Sequence, residues 1–138
     1  MADADPPAVD EQTFRFRFDL RYRAVGLAFG VTESRAWVRL GPDGLEAHLG
    51  PWTVRTPLDN LAGAEATGPF GFLRTAGPAR LSSTDLGLTF ATNGTRAVCV
   101  RFVEPVPGID AAGLIRHPGL TVTVADVDGL QASIEAVI

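Results

Sequence analysis

Arg15, Arg17, Arg21 and Arg23 recur at even positions apart near the start of the chain. A guanidinium is a planar fork of donors suited to two-point contact with a carboxylate or phosphate. On an extended strand, residues two apart project to one side at about 7 Å spacing, so such a row would read an acidic partner. The plainer role of the same row is a solvated strand face that discourages unwanted sheet pairing. His117 is the other polar candidate. It precedes Pro118 at the end of a short helical segment, where an imidazole can meet exposed carbonyls, bind a ligand or pass a proton. The candidate binding residues are therefore Arg15, Arg17, Arg21, Arg23 and His117.

Little else in the chain has the spacing of catalytic or metal chemistry. The two histidines, His48 and His117, stand far apart with no second ligand at metal spacing, and Cys99 is the lone cysteine. His48 lies between Glu46 and Leu49 in a strand-like run and reads as a structural or surface residue. Cys99, inside Ala97-Val98-Cys99-Val100, reads as inert packing. No nucleophile elbow, phosphate-cradling glycine loop or dinucleotide fingerprint occurs; Gly68-Pro69-Phe70-Gly71 has no lysine and no following helix. Asp126 and Asp128 resemble an acid pair, but Asp128 reads as a helix cap. Asn93-Gly94-Thr95 matches a glycosylation sequon, which at a cytoplasmic hairpin tip is coincidence. The expectation is a protein with no catalytic residues, no metal and no cofactor.

The elements that position these residues follow from patterning. With 138 residues, 46% of them apolar, the chain suits one domain with a real core. All 12 basic residues are Arg and the net charge is −4, with a pI near 5.0, which opposes nucleic-acid binding. Residues 1–12 carry Asp3, Asp5, Asp10 and Glu11 with two prolines and read as a disordered acidic tail, leaving 13–138 as the folded domain. The longest uncharged apolar run, Ala24 to Thr32, is far short of a membrane span, and the acidic N-terminus is unlike a secretory signal, so a cytoplasmic location is expected.

Phe14, Phe16, Phe18, Leu20 and Tyr22 alternate with polar residues as in a half-buried strand, even positions inward. From Ala24 to Val31 the apolar positions become odd, which demands a bulge, a break or a short helical turn between Gly26 and Gly30. Strand-like runs follow at 36–40, 45–49 and 61–67, with 52–56 either a further short strand or the continuation of 45–49 beyond a bend at Gly50-Pro51, a turn at Gly41-Pro42-Asp43-Gly44 and a glycine- and proline-rich loop at 68–78. Leu86 to Ala91 and Arg96 to Phe102 flank Asn93-Gly94, which reads as a tight hairpin. One or two helical turns from Asp110 to Arg116, a strand at 120–124 and an amphipathic C-terminal helix with Leu130, Ile134, Val137 and Ile138 complete the chain. The sum is a mainly β fold: a seven-stranded antiparallel PH-like barrel of two orthogonal sheets, capped by one C-terminal α-helix.

Three segments, Gly87 to Phe102, Arg116 to Asp126 and Gly50 to Leu58, resemble a family of small uncharacterised actinobacterial proteins, and the element order is similar to bacterial pleckstrin-homology domains. The first resemblance brings no activity. The second implies a basic cluster between the first two strands for phosphoinositide binding, and residues 24–34 offer only Glu33 among ionisable groups. The expected function is a non-catalytic binding module for a protein partner. The alternative is a carrier holding a small apolar ligand or lipid at the barrel mouth, with an enzyme third. Bulky Phe14, Phe16, Phe18, Trp37, Trp52, Phe90 and Phe102 would fill a small barrel, which disfavours the carrier. Residues 25–31 with Phe70, Phe72 and Leu73 are expected to pack and close the barrel.

Overall fold

The computed structural model describes residues 11–67, 79–81, 87–93, 95–108 and 115–138, with backbone alone at 21, 25 and 79–81. Nine strands and two α-helices lie among them. One sheet is a four-stranded antiparallel run of β1 (Gln12–Arg15), β2 (Ala36–Gly41), β3 (Gly44–Leu49) and β4 (Trp52–Thr56), adjacent in that order. The second sheet holds β5 (Leu61–Thr67), β6 (Ala79–Leu81), β7 (Leu88–Phe90), β8 (Ala97–Pro107) and β9 (Arg116–Val122), ordered β5-β8-β9-β7-β6. The fold is mainly β, as its patterning implies. Among the described residues there are nine strands rather than seven, and β7 runs parallel to β9, so the second sheet is not wholly antiparallel.

The opening alternation ends sooner than the sequence suggests. β1 starts at Gln12, inside the segment read as tail, and its alternation holds as far as buried Phe14 and Phe16. The chain then turns into helix α1 (Leu20–Ala28). Tyr22 and Gly26, one helical turn apart, are buried, while Leu20 is exposed. Gly30 explains where the helix stops. Val31 N donates to Gly26 O and Gly30 N to Leu27 O, the paired bonds of a Schellman ending, and Gly30 takes φ +76° to close it. Of the three options at Gly26 to Gly30, the helical one is realised, and it begins earlier.

The Gly41 to Gly44 turn joins β2 to β3 as expected, with Gly41 opposite Gly44. Gly44 adopts φ +130° against the Thr56 carbonyl, where a Cβ has no room. The two sheets meet at one corner. Phe16 bridges to Val124, Arg17 N donates to Thr123 O at 3.1 Å and Ala125 N to Arg15 O at 2.9 Å. Elsewhere Asn60 braces the bulge of β8 by bonding both Glu104 O and Glu104 N.

The Asn93 hairpin is not formed: β9 lies between β7 and β8. Asn93 is buried, and its side chain is occupied by backbone groups, accepting from Thr95 N and donating to Arg17 O. β9 also begins earlier than read, so Arg116, His117 and Pro118 are strand residues and not the end of a helix; residues 109–114 lie outside the described residues. Pro118 has no N–H to give the ladder, and the β8–β9 register shifts between Arg101 and Val106. The C-terminal helix α2 (Val127–Glu135) is present, capped by Asp126, whose Oδ1 accepts from Gly129 N, rather than by Asp128. Val127, Leu130 and Ile134 turn into the core with Phe90, Leu49 and Leu120.

Candidate functional site

The arginine row does not share one strand face. Arg15 on β1 and Arg17 just beyond it are exposed, as the alternation requires. Arg21 and Arg23 lie on α1, where residue spacing follows a helix. Arg17 stands 3.9 Å from Asp19, and Arg23 is paired with Glu33 at 2.6 Å. His117 is buried, 1% exposed, opposite Val106, so it lies apart from the arginines and out of reach of a surface partner. Cys99 is free and half-buried.

Arg15 leads instead to a surface that the sequence reading passed over. On each of the first four strands, alternate residues face away from the core, and the antiparallel register aligns them. Arg15 stands opposite Trp37, Trp37 opposite His48, and His48 opposite Thr53. In the neighbouring row Thr13, Arg39, Glu46 and Arg55 follow one another. Cross-strand neighbours on one face approach closely enough to interact. Trp37 and His48 stack with centroids 5.2 Å apart and planes inclined by 12°. The Arg39 guanidinium covers the other part of this stack, 4.3 Å from the Trp37 ring. His48 Nδ1 is 3.0 Å from Thr53 Oγ1.

Two arginines of this face differ sharply in their partners. Arg55 gives both Nε and Nη2 to Glu46 Oε2, each at 2.9 Å, and is thereby engaged. Arg39 Nε is buried with no hydrogen-bond partner among the described residues, and Glu11 Oε1 stands 3.9 Å from it. A buried donor left unmade costs about 1–3 kcal/mol, and Arg39 Nε, with almost no exposed surface, gains an acceptor only when the groups that cover it are displaced. The two arginines flank an open cleft of about 780 Å³ at the β2–β3 turn, walled by Pro42, Gly44, Thr56 and Pro57 and edged by Glu11 and Asp43. The cleft lies at the rim of the sheet, outside the core.

Burial lowers the His48 pKa, Arg35 and Arg55 lower it further, and Glu46 partly opposes them. Arg15 and Arg35 have no ion pair among the described residues, which also contain no cluster of three or more His, Cys, Asp or Glu able to hold a metal. No helix among the described residues is long and apolar enough to cross a membrane.

A second surface surrounds α1. Gly26 and Val31 are buried as expected, but Leu27 and Phe29 are exposed, Phe29 leaning on Trp52 with ring centroids 6.3 Å apart. Their expected packing therefore holds in part; Phe70, Phe72 and Leu73 lie outside the described residues.

Compared with known proteins, the chain matches no family model, no curated protein and no solved structure.

Proposed function

We propose that this chain is a non-catalytic binding module that engages an acidic protein partner through the outer face of β1 to β4. The observation that carries this is the Arg39–Trp37–His48 stack, with its buried and unbonded Arg39 Nε. Stacked arginines and aromatic rings lose little freedom on binding, and such residues dominate protein interfaces. Arg15 and Arg35 extend the cationic surface on a chain whose net charge is −4, so an acidic partner meets this face by charge complementarity. Arg15 is the residue of the original row that this reading retains. The large buried side chains, Phe14, Phe16, Phe90 and Phe102 among them, favour a binding surface over an apolar-ligand carrier.

The reading includes a PH-like barrel architecture, supported by the two sheets, their junction at Phe16–Val124 and the C-terminal helix packed on the core. It also places the protein in the cytoplasm and within the actinobacterial family that its segments resemble. Fluorescence anisotropy with a labelled glutamate-rich peptide, both ends blocked, tests the surface. Binding should weaken as salt rises, because screening acts within about 8–10 Å at ordinary ionic strength. It should fall when Arg15 and Arg39 are both changed to Gln. Absence of binding, or binding indifferent to both salt and substitution, refutes the assignment.

A further inference from the structure

We infer that Arg39 is the anchor for a carboxylate carried on a small apolar body, either the end of a polypeptide or a free small acid. This deepens the proposed binding face and rests on it. The cleft contains two guanidinium groups in different states. Arg55 is satisfied by Glu46 through two short bonds to one oxygen. Arg39 Cζ lies over the Trp37 ring, 4.3 Å from its centroid, yet Arg39 Nε makes no bond. A planar two-oxygen acceptor such as a carboxylate can meet an Nε and its neighbouring Nη together.

Glu11 is the chain's own carboxylate facing Arg39. Its carboxylate stands 3.9 Å from Arg39 Nε, beyond hydrogen-bond distance, and its side chain is 65% exposed. It is a loosely held carboxylate of the chain itself, one that an incoming carboxylate can replace at small cost. The walls beside Arg39 are the exposed rings of Pro42 and Pro57, which suit an apolar body behind the acid group.

The test follows the arginine Nε–H resonances of the full chain by two-dimensional NMR at low salt. Three probes are used: N-acetyl-leucine, its amide, and a short blocked-amine peptide ending in leucine with a free carboxylate. The acid or the peptide should shift the Arg39 Nε–H resonance, and the amide should not. Response to the peptide alone assigns the site to chain ends; response to both assigns it to small acids as well. Arg39→Gln should abolish the response, and Arg39→Lys, which keeps the charge but loses the fork, should weaken affinity about tenfold or more. Glu11→Gln should bind at least as tightly as the parent. An equal response to the amide, no response of Arg39 to either acid, or weaker binding by Glu11→Gln overturns the inference. If the blocked glutamate-rich peptide still binds the sheet in a salt-dependent manner, the carboxylate anchor alone falls; if that peptide also fails, the binding face falls with it.

Discussion

The side-chain amide of Asn93 donates to the carbonyl of Arg17 at 2.8 Å, joining two residues 76 positions apart. Thr92 Oγ1 donates to the same carbonyl at 2.6 Å, and Asn93 Nδ2 also reaches Thr123 O at 3.3 Å. This buried polar knot ties the exit of β1 to the second sheet just before α1 begins.

Asn93→Ala should destabilise the protein by about 1–3 kcal/mol, the usual penalty for leaving buried partners unbonded. Asn93→Asp should be worse at neutral pH, because a carboxylate would face the carbonyl oxygens of Arg17 and Thr123. Urea unfolding measures both, with a lower midpoint at unchanged slope as the expected result. An unchanged midpoint for Asn93→Ala would show that the knot contributes nothing to stability.

That same asparagine shows where sequence reading reached its limit. Asn93-Gly94 carries the residue types of a hairpin, but whether its flanking strands pair is decided by β9, whose parallel approach to β7 leaves no local signal. The β2–β3 hairpin was legible because glycine and proline encode its turn, whereas Gly50-Pro51 fits a bend as well as the turn that pairs β3 with β4. Helix α2 was legible because Leu130 and Ile134 recur at helical spacing, although two nearby aspartates hid which one caps it: Asp126, not Asp128. Leu20 and Tyr22 misled, since two apolar residues two apart satisfy a strand template even when only one is buried. Half of the candidate face could have been found: Trp37 and Arg39, Glu46 and His48, Thr53 and Arg55 alternate on three strands whose tight turns fix their register. The stacking of Arg39 on Trp37 and the position of Glu11 needed coordinates.

Leu130 and Ile134 are both fully buried in the core, so α2 is part of the fold and not an appendage. Each truncation to Ala should cost about 2–5 kcal/mol. Against a typical stability of about 5–15 kcal/mol, the double variant should retain little folded protein. Thermal melts followed by circular dichroism decide this, and a double variant that melts with the parent would mean the helix does not support the core.

His48 should titrate below its ordinary value of 6.5, first because burial penalises the imidazolium and then because Arg35 repels it. The unfolded chain therefore binds more protons than the folded one between the folded and unfolded pKa values, and stability rises with pH across that interval. The contribution is fully present above the unfolded value and is lost as pH falls through the folded one. Proton NMR of the His48 ring should give a midpoint under 6.5. In His48→Gln the loss of stability on acidification should be smaller than in the parent. A midpoint at or above the ordinary value would mean that the Trp37 stack and the arginines do not shape this residue.

The rotation of α1 can be tested by three single substitutions. Leu20 and Leu27 are 81% and 64% exposed, whereas Tyr22 is 5% exposed, although alternation alone would place Leu20 and Tyr22 on the same inward face. Leu20 and Leu27 are seven residues apart and share one side of the helix, turned from the core. Leu20→Ala and Leu27→Ala should therefore each change stability by no more than about 0.5 kcal/mol, the range of ordinary surface substitutions. Tyr22→Ala should cost about 3–5 kcal/mol, as truncation of a buried aromatic ring does. If the opening strand instead continued through residue 22, Leu20→Ala would cost about 2–5 kcal/mol and approach the Tyr22 value. Chemical denaturation of the three variants separates the outcomes. Equal losses at Leu20 and Tyr22 would return the segment to a strand and remove the helix that carries Arg21 and Arg23 away from the row begun by Arg15.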